Sequence, residues 1–267
     1  MLRIFITTCS FLLFFQLIAF GQANELPPIV LDRPDLTESP FLTPKGYVQV
    51  EAGLLAQKTP ASIDFKTPTV LFKYGLTKKF ELRLIAEMNW TDVGNNNFGI
   101  PPVWIGFKSS LIDEKGIVPQ VSFIGHLALD EIATSTYKAN HIAPKFRFVF
   151  QHTLSKKFSI GYNAGMEWDG ATADPALIYT LTGGYAITDK FGCFVELFGD
   201  KNKNAAVSTN ADGGFTFLVN NNAMADISGG LRLSGPGLTS IGSEFFISMG
   251  YSFRFNTSRK VETIFVS

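Results

Sequence analysis

Cysteine and histidine are nearly missing. The 267 residues include two Cys and three His, too few for a Cys/His structural zinc centre. Charge is scarce as well: Asp, Glu, Lys and Arg make up 17% of the chain and cancel to a net charge of zero. No basic field therefore points to nucleic acid. No Gly-x-Ser-x-Gly turn, phosphate loop or dinucleotide fingerprint occurs. Beyond the N-terminus no apolar run approaches the ~18 residues of a spanning helix. What the chain has is greasy bulk, with 46% hydrophobic and 13% aromatic residues, including 26 Phe. That composition excludes disorder and suits a membrane-facing or heavily β-structured chain.

The first segment reads as an address. Met1-Leu2-Arg3 is a short positive start, Ile4 to Phe20 are almost all apolar, and Ala19-Phe20-Gly21 resembles a signal-peptidase site. Residues 1–21 are expected to be a signal peptide, with an N-terminal membrane anchor as the alternative. Cys9 leaves with it, so Cys193 stands alone and no intramolecular disulfide forms. An exported chain without a spanning helix is either soluble beyond the inner membrane or a barrel in an outer membrane.

The remainder repeats with period two. Phe80, Leu82, Leu84, Ala86, Met88 and Trp90 fall on one face of a strand, while Glu81, Arg83, Ile85, Glu87 and Asn89 fall on the other. The same split recurs around Val48–Leu54, Phe146–Phe150, Phe158–Trp168 and Phe245–Phe255. Twelve strands are expected, over 46–57, 65–76, 80–91, 102–112, 117–129, 143–154, 158–168, 176–187, 191–199, 213–219, 223–233 and 244–255. Tight connections such as Thr77-Lys78-Lys79, Ser155-Lys156-Lys157 and Thr188-Asp189-Lys190 alternate with longer ones at 91–101, 130–142 and 200–212. An even strand number with short periplasmic turns and longer outer loops is the outer-membrane pattern. Phe80, Phe158 and Phe191 would join an inner aromatic girdle, and Trp90 and Trp168 would end their strands at the outer interface. Twelve tilted strands at ~4.8 Å spacing give a backbone cylinder roughly 24 Å across, leaving a lumen of about 10 Å or less.

Charge decides which face is which, because a charge facing lipid near the midplane costs roughly 2–4 kcal/mol. The expected lumen lining is Glu51, Lys73, Glu81, Arg83, Glu87, Lys108, Lys145, Arg147, Glu167, Glu196, Asp226, Arg232 and Arg254, six acids and seven bases. The near balance predicts weak ion selectivity. Two alternatives exist: a secreted β-sandwich, and a lipocalin-like barrel with an apolar interior.

Ahead of the first strand stands Asp32-Arg33-Pro34-Asp35-Leu36-Thr37-Glu38-Ser39-Pro40, followed by Pro44-Lys45-Gly46-Tyr47-Val48-Gln49-Val50-Glu51. Asp212-Gly213-Gly214-Phe215, Asp226 to Gly230, and Gly250-Tyr251-Ser252-Phe253-Arg254-Phe255 follow later. In order and spacing these segments resemble a family of outer-membrane β-barrels named for the meta-pathway of phenol degradation, its bacteroidete members most of all. The likeness covers most of residues 30–256. It implies a porin-like transporter of a small solute in a Gram-negative outer membrane, in contact with lipid and lipopolysaccharide and inserted by the barrel-assembly machinery. One departure stands out, since residues follow Phe255, the strand-terminal aromatic that such machinery reads. The expected organisation is a signal peptide at 1–21, a periplasmic lead-in at 22–45, the barrel at 46–256 and a tail at 257–267.

The lead-in motif, with Asp32, Arg33, Pro34, Asp35, Thr37 and Glu38, is either solvated or tucked into the inner mouth with Arg33 meeting Glu51. No cofactor, metal or enzymatic activity is expected. His141 and His152 lack a nucleophile motif nearby, and His126 is expected to face the lumen. A structural or adhesion barrel with a filled lumen, and less so a barrel lipid hydrolase, are the alternatives to a passive channel.

Overall fold

The computed structural model describes residues 26–33, 36–91, 97–138 and 141–257. The expected signal peptide, Pro34, Asp35 and the expected tail beyond Thr257 lie outside the described residues. Thirteen strands occur among them: β1 (Tyr47–Lys58), β2 (Ile63–Gly75), β3 (Phe80–Thr91), β4 (Asn97–Gly99), β5 (Val103–Ile112), β6 (Gln120–Leu129), β7 (Pro144–Thr153), β8 (Phe158–Glu167), β9 (Ala176–Ala186), β10 (Phe191–Lys201), β11 (Ser208–Asn220), β12 (Ala223–Ser234) and β13 (Phe245–Asn256). All but the short β4 build one wall in which each strand pairs antiparallel with its chain neighbour. The ring closes where β1 meets β13, from Tyr47 opposite Asn256 to Lys58 opposite Phe245. Closure matters physically. It pairs the backbone groups of the wall and leaves no open sheet edge in hydrocarbon.

The period-two pattern decides what each face carries. Leu82, Leu181, Ile227, Ile247 and Met249 are between 45% and 52% exposed on the outside. Glu51, Lys73, Glu81 and Lys108 are at most 2% exposed on the inside. A water-soluble sandwich or a lipocalin-like barrel would show the reverse, so both are excluded. A closed wall that is greasy outside and ionic inside is a transmembrane barrel of the bacterial outer membrane. No helix among the described residues is long and apolar enough to cross a membrane; the strands do the crossing. Rings meet from strand to strand on the outer surface, Phe80 stacked on Phe107 (5.4 Å) and Phe107 tilted against Phe123 (5.9 Å). Phe191 stacks on Phe215 at 5.4 Å in the same way. Such cross-strand pairs fix register as well as adding contact area.

The turn end of the barrel carries the connections 76–79, 154–157, 187–190 and 221–222, and the loop end carries 92–102, 130–143 and 235–244. Several expected boundaries move. The 113–116 turn extends to residue 119, the first loop shrinks to 59–62, and β4 forms within the expected 91–101 loop by pairing with the end of β3. The largest shift is at β11, which starts at Ser208 rather than 213 because β10 runs on to Lys201 and offers it partners as far as Asp200 opposite Ser208. In β2 the register slips between Lys66 and Thr69. Pro68 sits in that slip, where a missing N–H breaks no ladder bond.

Candidate functional site

Of the two placements open for the segment ahead of β1, solvated or tucked into the barrel, the structure has the second. The segment enters the barrel at the turn end, crosses the lumen and returns to start β1. Ile29 donates its N–H to the carbonyl of Asn221 (2.9 Å), and Ile29 and Leu31 pack against Leu218 and Met224. Farther along, Leu36 and Thr37 reach Glu196 on β10, Glu38 reaches Asn163 on β8, and Pro40 reaches Ser122 on β6. Thr43 then returns along β3, its N–H 2.6 Å from Glu81. Hydrogen bonds tie this plug to each wall strand but β11 among the described residues, and Leu218 of β11 packs against it instead.

Asp32 is the hub. Its carboxylate is 3.0 Å from Lys73 Nζ, 2.8 Å from Arg83 Nη1 and 2.8 Å from Lys108 Nζ. Oδ1 also accepts the Ser39 N–H at 3.0 Å. The three bases have further partners: Lys73 meets Glu51 (2.5 Å), and Arg83 meets Glu38 (2.6 Å) and Glu81 (3.3 Å). Lys108 donates to the Ser39 carbonyl (2.8 Å). Charges this deeply enclosed survive only when paired and fully hydrogen-bonded, because each loses its hydration. The period-two rule placed these wall residues, and the plug supplies the counter-charges.

Arg33 behaves differently from the expectation. Its backbone N–H, not its guanidinium, meets Glu51 (3.1 Å). The guanidinium goes to Asp226 (3.2 Å) and to the Ser248 hydroxyl (2.9 Å). It lies over Gly53 and Gly250, which face each other across the closing seam. A Cβ on Gly53 would sit 2.2 Å from Arg33 Cζ, and one on Gly250 would sit 2.6 Å from Arg33 Nε. Two side-chain-free positions thus make the slot that holds the plug against the seam.

The remaining expected lumen residues scatter by height. Arg254, at the turn end, donates to the carbonyls of Asn221 (2.9 Å) and Pro27. Arg147 pairs with Glu167 (2.5 Å) and donates to the Leu36 carbonyl (3.1 Å). Lys145 sits 4.1 Å over the Trp104 ring. Glu87 accepts from Asn89 (3.3 Å), and Arg232 pairs with Glu244 (3.1 Å) at the loop end, away from the plug. His126 faces inward and accepts from Arg83 Nε at 3.3 Å. The neutral wall partners Gln49, Ser122, Asn163 and Thr180 had no signal beyond polarity at inward positions. Asp212, buried opposite Glu196, was masked by the Asp-Gly-Gly turn signature.

Between the plug and the turn-end halves of β7 to β12 lies a cavity of about 490 Å³, bordered by Thr37, Phe41, Gly161, Thr182, Phe194 and Thr216. No group of three or more His, Cys, Asp or Glu suited to a metal occurs among the described residues. Outside, His152 meets the Tyr162 hydroxyl (3.3 Å), not a serine.

Comparison with solved structures gives an outer membrane channel of Pseudomonas putida F1, with 10% identity, a TM-score of 0.62 and coverage of 80% of this chain and 97% of that one. The Ralstonia pickettii toluene transporter matches at 9% identity over 80% of this chain and 90% of its own, with a TM-score of 0.44, too loose to carry function. A search of curated proteins returned no match. The likeness to the first is one of fold. The sequence itself goes further: the model of the family described as "Putative MetA-pathway of phenol degradation" matches residues 31–255, from the start of the plug motif to the last aromatic of β13, and the chain belongs to that family.

Proposed function

We propose that the protein is a passive outer-membrane channel for a small solute, narrowed by its own N-terminal segment, and that it is not an enzyme. The observation that carries this reading is the enclosed, ionic lumen with a cavity of about 490 Å³ alongside the plug. A purely structural barrel has no need of so polar an interior, which costs desolvation at every buried charge. The family resemblance and the channel fold of the Pseudomonas putida protein support the same reading. The turn end is then periplasmic, and Phe255, at the close of β13, is the aromatic presented to the assembly machinery.

The extent of the plug's bonding favours one second reading, a structural or adhesion barrel whose lumen is filled. Conductance in planar bilayers separates the two. Purified folded protein is expected to conduct, and a variant lacking residues 22–40 is expected to conduct several-fold more. A deletion variant that folds yet stays silent overturns the channel reading. Lipid hydrolysis by the purified protein, lost on His141→Ala or His152→Ala, would overturn the non-enzymatic one.

A further inference from the structure

We propose that the turn end of β7 to β10 is a docking face for anionic phospholipid, with Lys156, Lys157 and Lys190 holding the headgroup phosphate. The inference goes beyond the channel reading and rests on it only for the leaflet: with the turn end periplasmic, that leaflet is the phospholipid one. Charge is divided between the two ends of the barrel. Three turn-end connections, 76–79, 154–157 and 187–190, carry Lys78, Lys79, Lys156, Lys157 and Lys190 and one acid, Asp189. The loop-end connections 130–143 and 168–175 reverse the sign, with Asp130, Glu131, Asp169 and Asp174 against Lys138. The cationic end is the one that complements a layer of phosphates.

The two neighbouring hairpins present their lysines at the rim of the hydrocarbon. In one turn the Lys157 N–H donates to the Ser155 hydroxyl (3.1 Å), and in the other the Lys190 N–H donates to the Thr188 hydroxyl (3.2 Å). Both turns are also pinned sideways. The Ala186 N–H donates to the Lys157 carbonyl (2.8 Å) and the Leu218 N–H to the Lys190 carbonyl (2.7 Å). No ion pair engages Lys156, Lys157 or Lys190 among the described residues. The acids nearby in the chain are Asp189, in the same turn as Lys190, and Glu114, which already accepts the Thr153 N–H (2.5 Å). Just ahead of each turn the outward face is bare and apolar, Leu154 at 57% and Ile187 at 39% exposure, and Tyr185 beside them is 46% exposed. A tyrosine at such a rim keeps its ring in hydrocarbon and its hydroxyl among headgroups. Lysines two or three residues farther on lay their stems along the apolar surface and carry their ammonium groups to the phosphate layer, where the pairing is charge-assisted. The 154–157 turn also borders the turn-end cavity, so a soluble anion is the rival occupant.

Cys193, the one cysteine among the described residues, stands opposite Tyr185 and reports on this face. The folded protein is labelled there with bimane and placed in phosphatidylcholine vesicles holding a minor fraction of brominated phosphatidylglycerol or brominated phosphatidylcholine. Phosphatidylglycerol is expected to quench at roughly tenfold lower mole fraction, the effect of one or two lysines at an anionic headgroup. Lys156→Gln, Lys157→Gln and Lys190→Gln combined are expected to bring the two lipids level. Lys78→Gln with Lys79→Gln, on the β2–β3 hairpin, is expected to leave the preference in place. Each variant is compared once heat-modifiable migration shows it folded. Excess glycerol phosphate is expected not to relieve the quenching. Equal quenching by both lipids in wild type overturns the site, as does a preference that survives the triple substitution. A preference lost with Lys78 and Lys79 traces to total charge and overturns it too. Relief by glycerol phosphate overturns the lipid as occupant and assigns the lysines a soluble anion. None of these measurements needs conduction, so a barrel silent in bilayers sinks the channel reading while quenching still judges this one.

Discussion

Asp32 concentrates the consequences of burial in a single carboxylate. Replacing it with Asn removes one charge from among Lys73, Arg83 and Lys108. Breaking a buried pair from one side costs roughly 3–5 kcal/mol, so Asp32→Asn should lower the heat-modification midpoint and raise conductance together. Gly53 gives a steric version of the same experiment. Gly53→Val drives a side chain into the Arg33 guanidinium, 2.2 Å from a Cβ at that position. Gly183→Ala is the control, since its Cβ would find Phe158 carbons at an ordinary 3.6 Å. The first should raise single-channel conductance and the second should leave it unchanged. At this scale the sequence showed which wall residues face inward, because alternation on a strand leaves no choice once the charged side is known. It could not show where Asp32 or Arg33 point, since an irregular segment has no period. Asp212 was lost for a different reason: followed by two glycines, it reads as a turn, and only the pairing with β10 makes it strand.

At the scale of elements, strands were legible and connections less so. The 113–119 connection illustrates why. Glu114 reaches over to β7 and accepts the Thr153 N–H (2.5 Å), a contact between segments far apart in sequence. That hydrogen bond holds the Glu114 carboxyl below its ordinary value. A depressed folded value means that the tie is present at neutral pH and is lost as pH falls through that value. Hydrogen exchange at the Thr153 amide should therefore quicken in acid beyond the intrinsic trend, and Glu114→Gln should remove much of that excess. Unchanged protection would show that the β7 end is held by its ladder alone.

The whole molecule is a cylinder with its solvent preferences inverted, and this is testable directly. Spin labels at Leu84 and Phe148 should report hydrocarbon, and one at Glu87 should report water. An Arg at Leu84 should cost roughly 2–4 kcal/mol if that site lies near the midplane. The near balance of wall charges predicts weak ion selectivity, and a reversal potential across a salt gradient checks it. Three of the bases on the wall are consumed by acids of the plug and its surroundings, so the charge left for a permeating ion differs from the total.

The plug also dates the barrel. Its partners lie far downstream: Arg33 binds residues 193 and 215 positions later, and Pro27 is held by Arg254 at a separation of 227. The plug thus has no complete resting place until the last strand is in position. A protease that cuts after glutamate should cleave the Glu38–Ser39 bond in half-assembled intermediates and spare it in finished ones, which makes that one peptide bond a maturation clock readable on a gel.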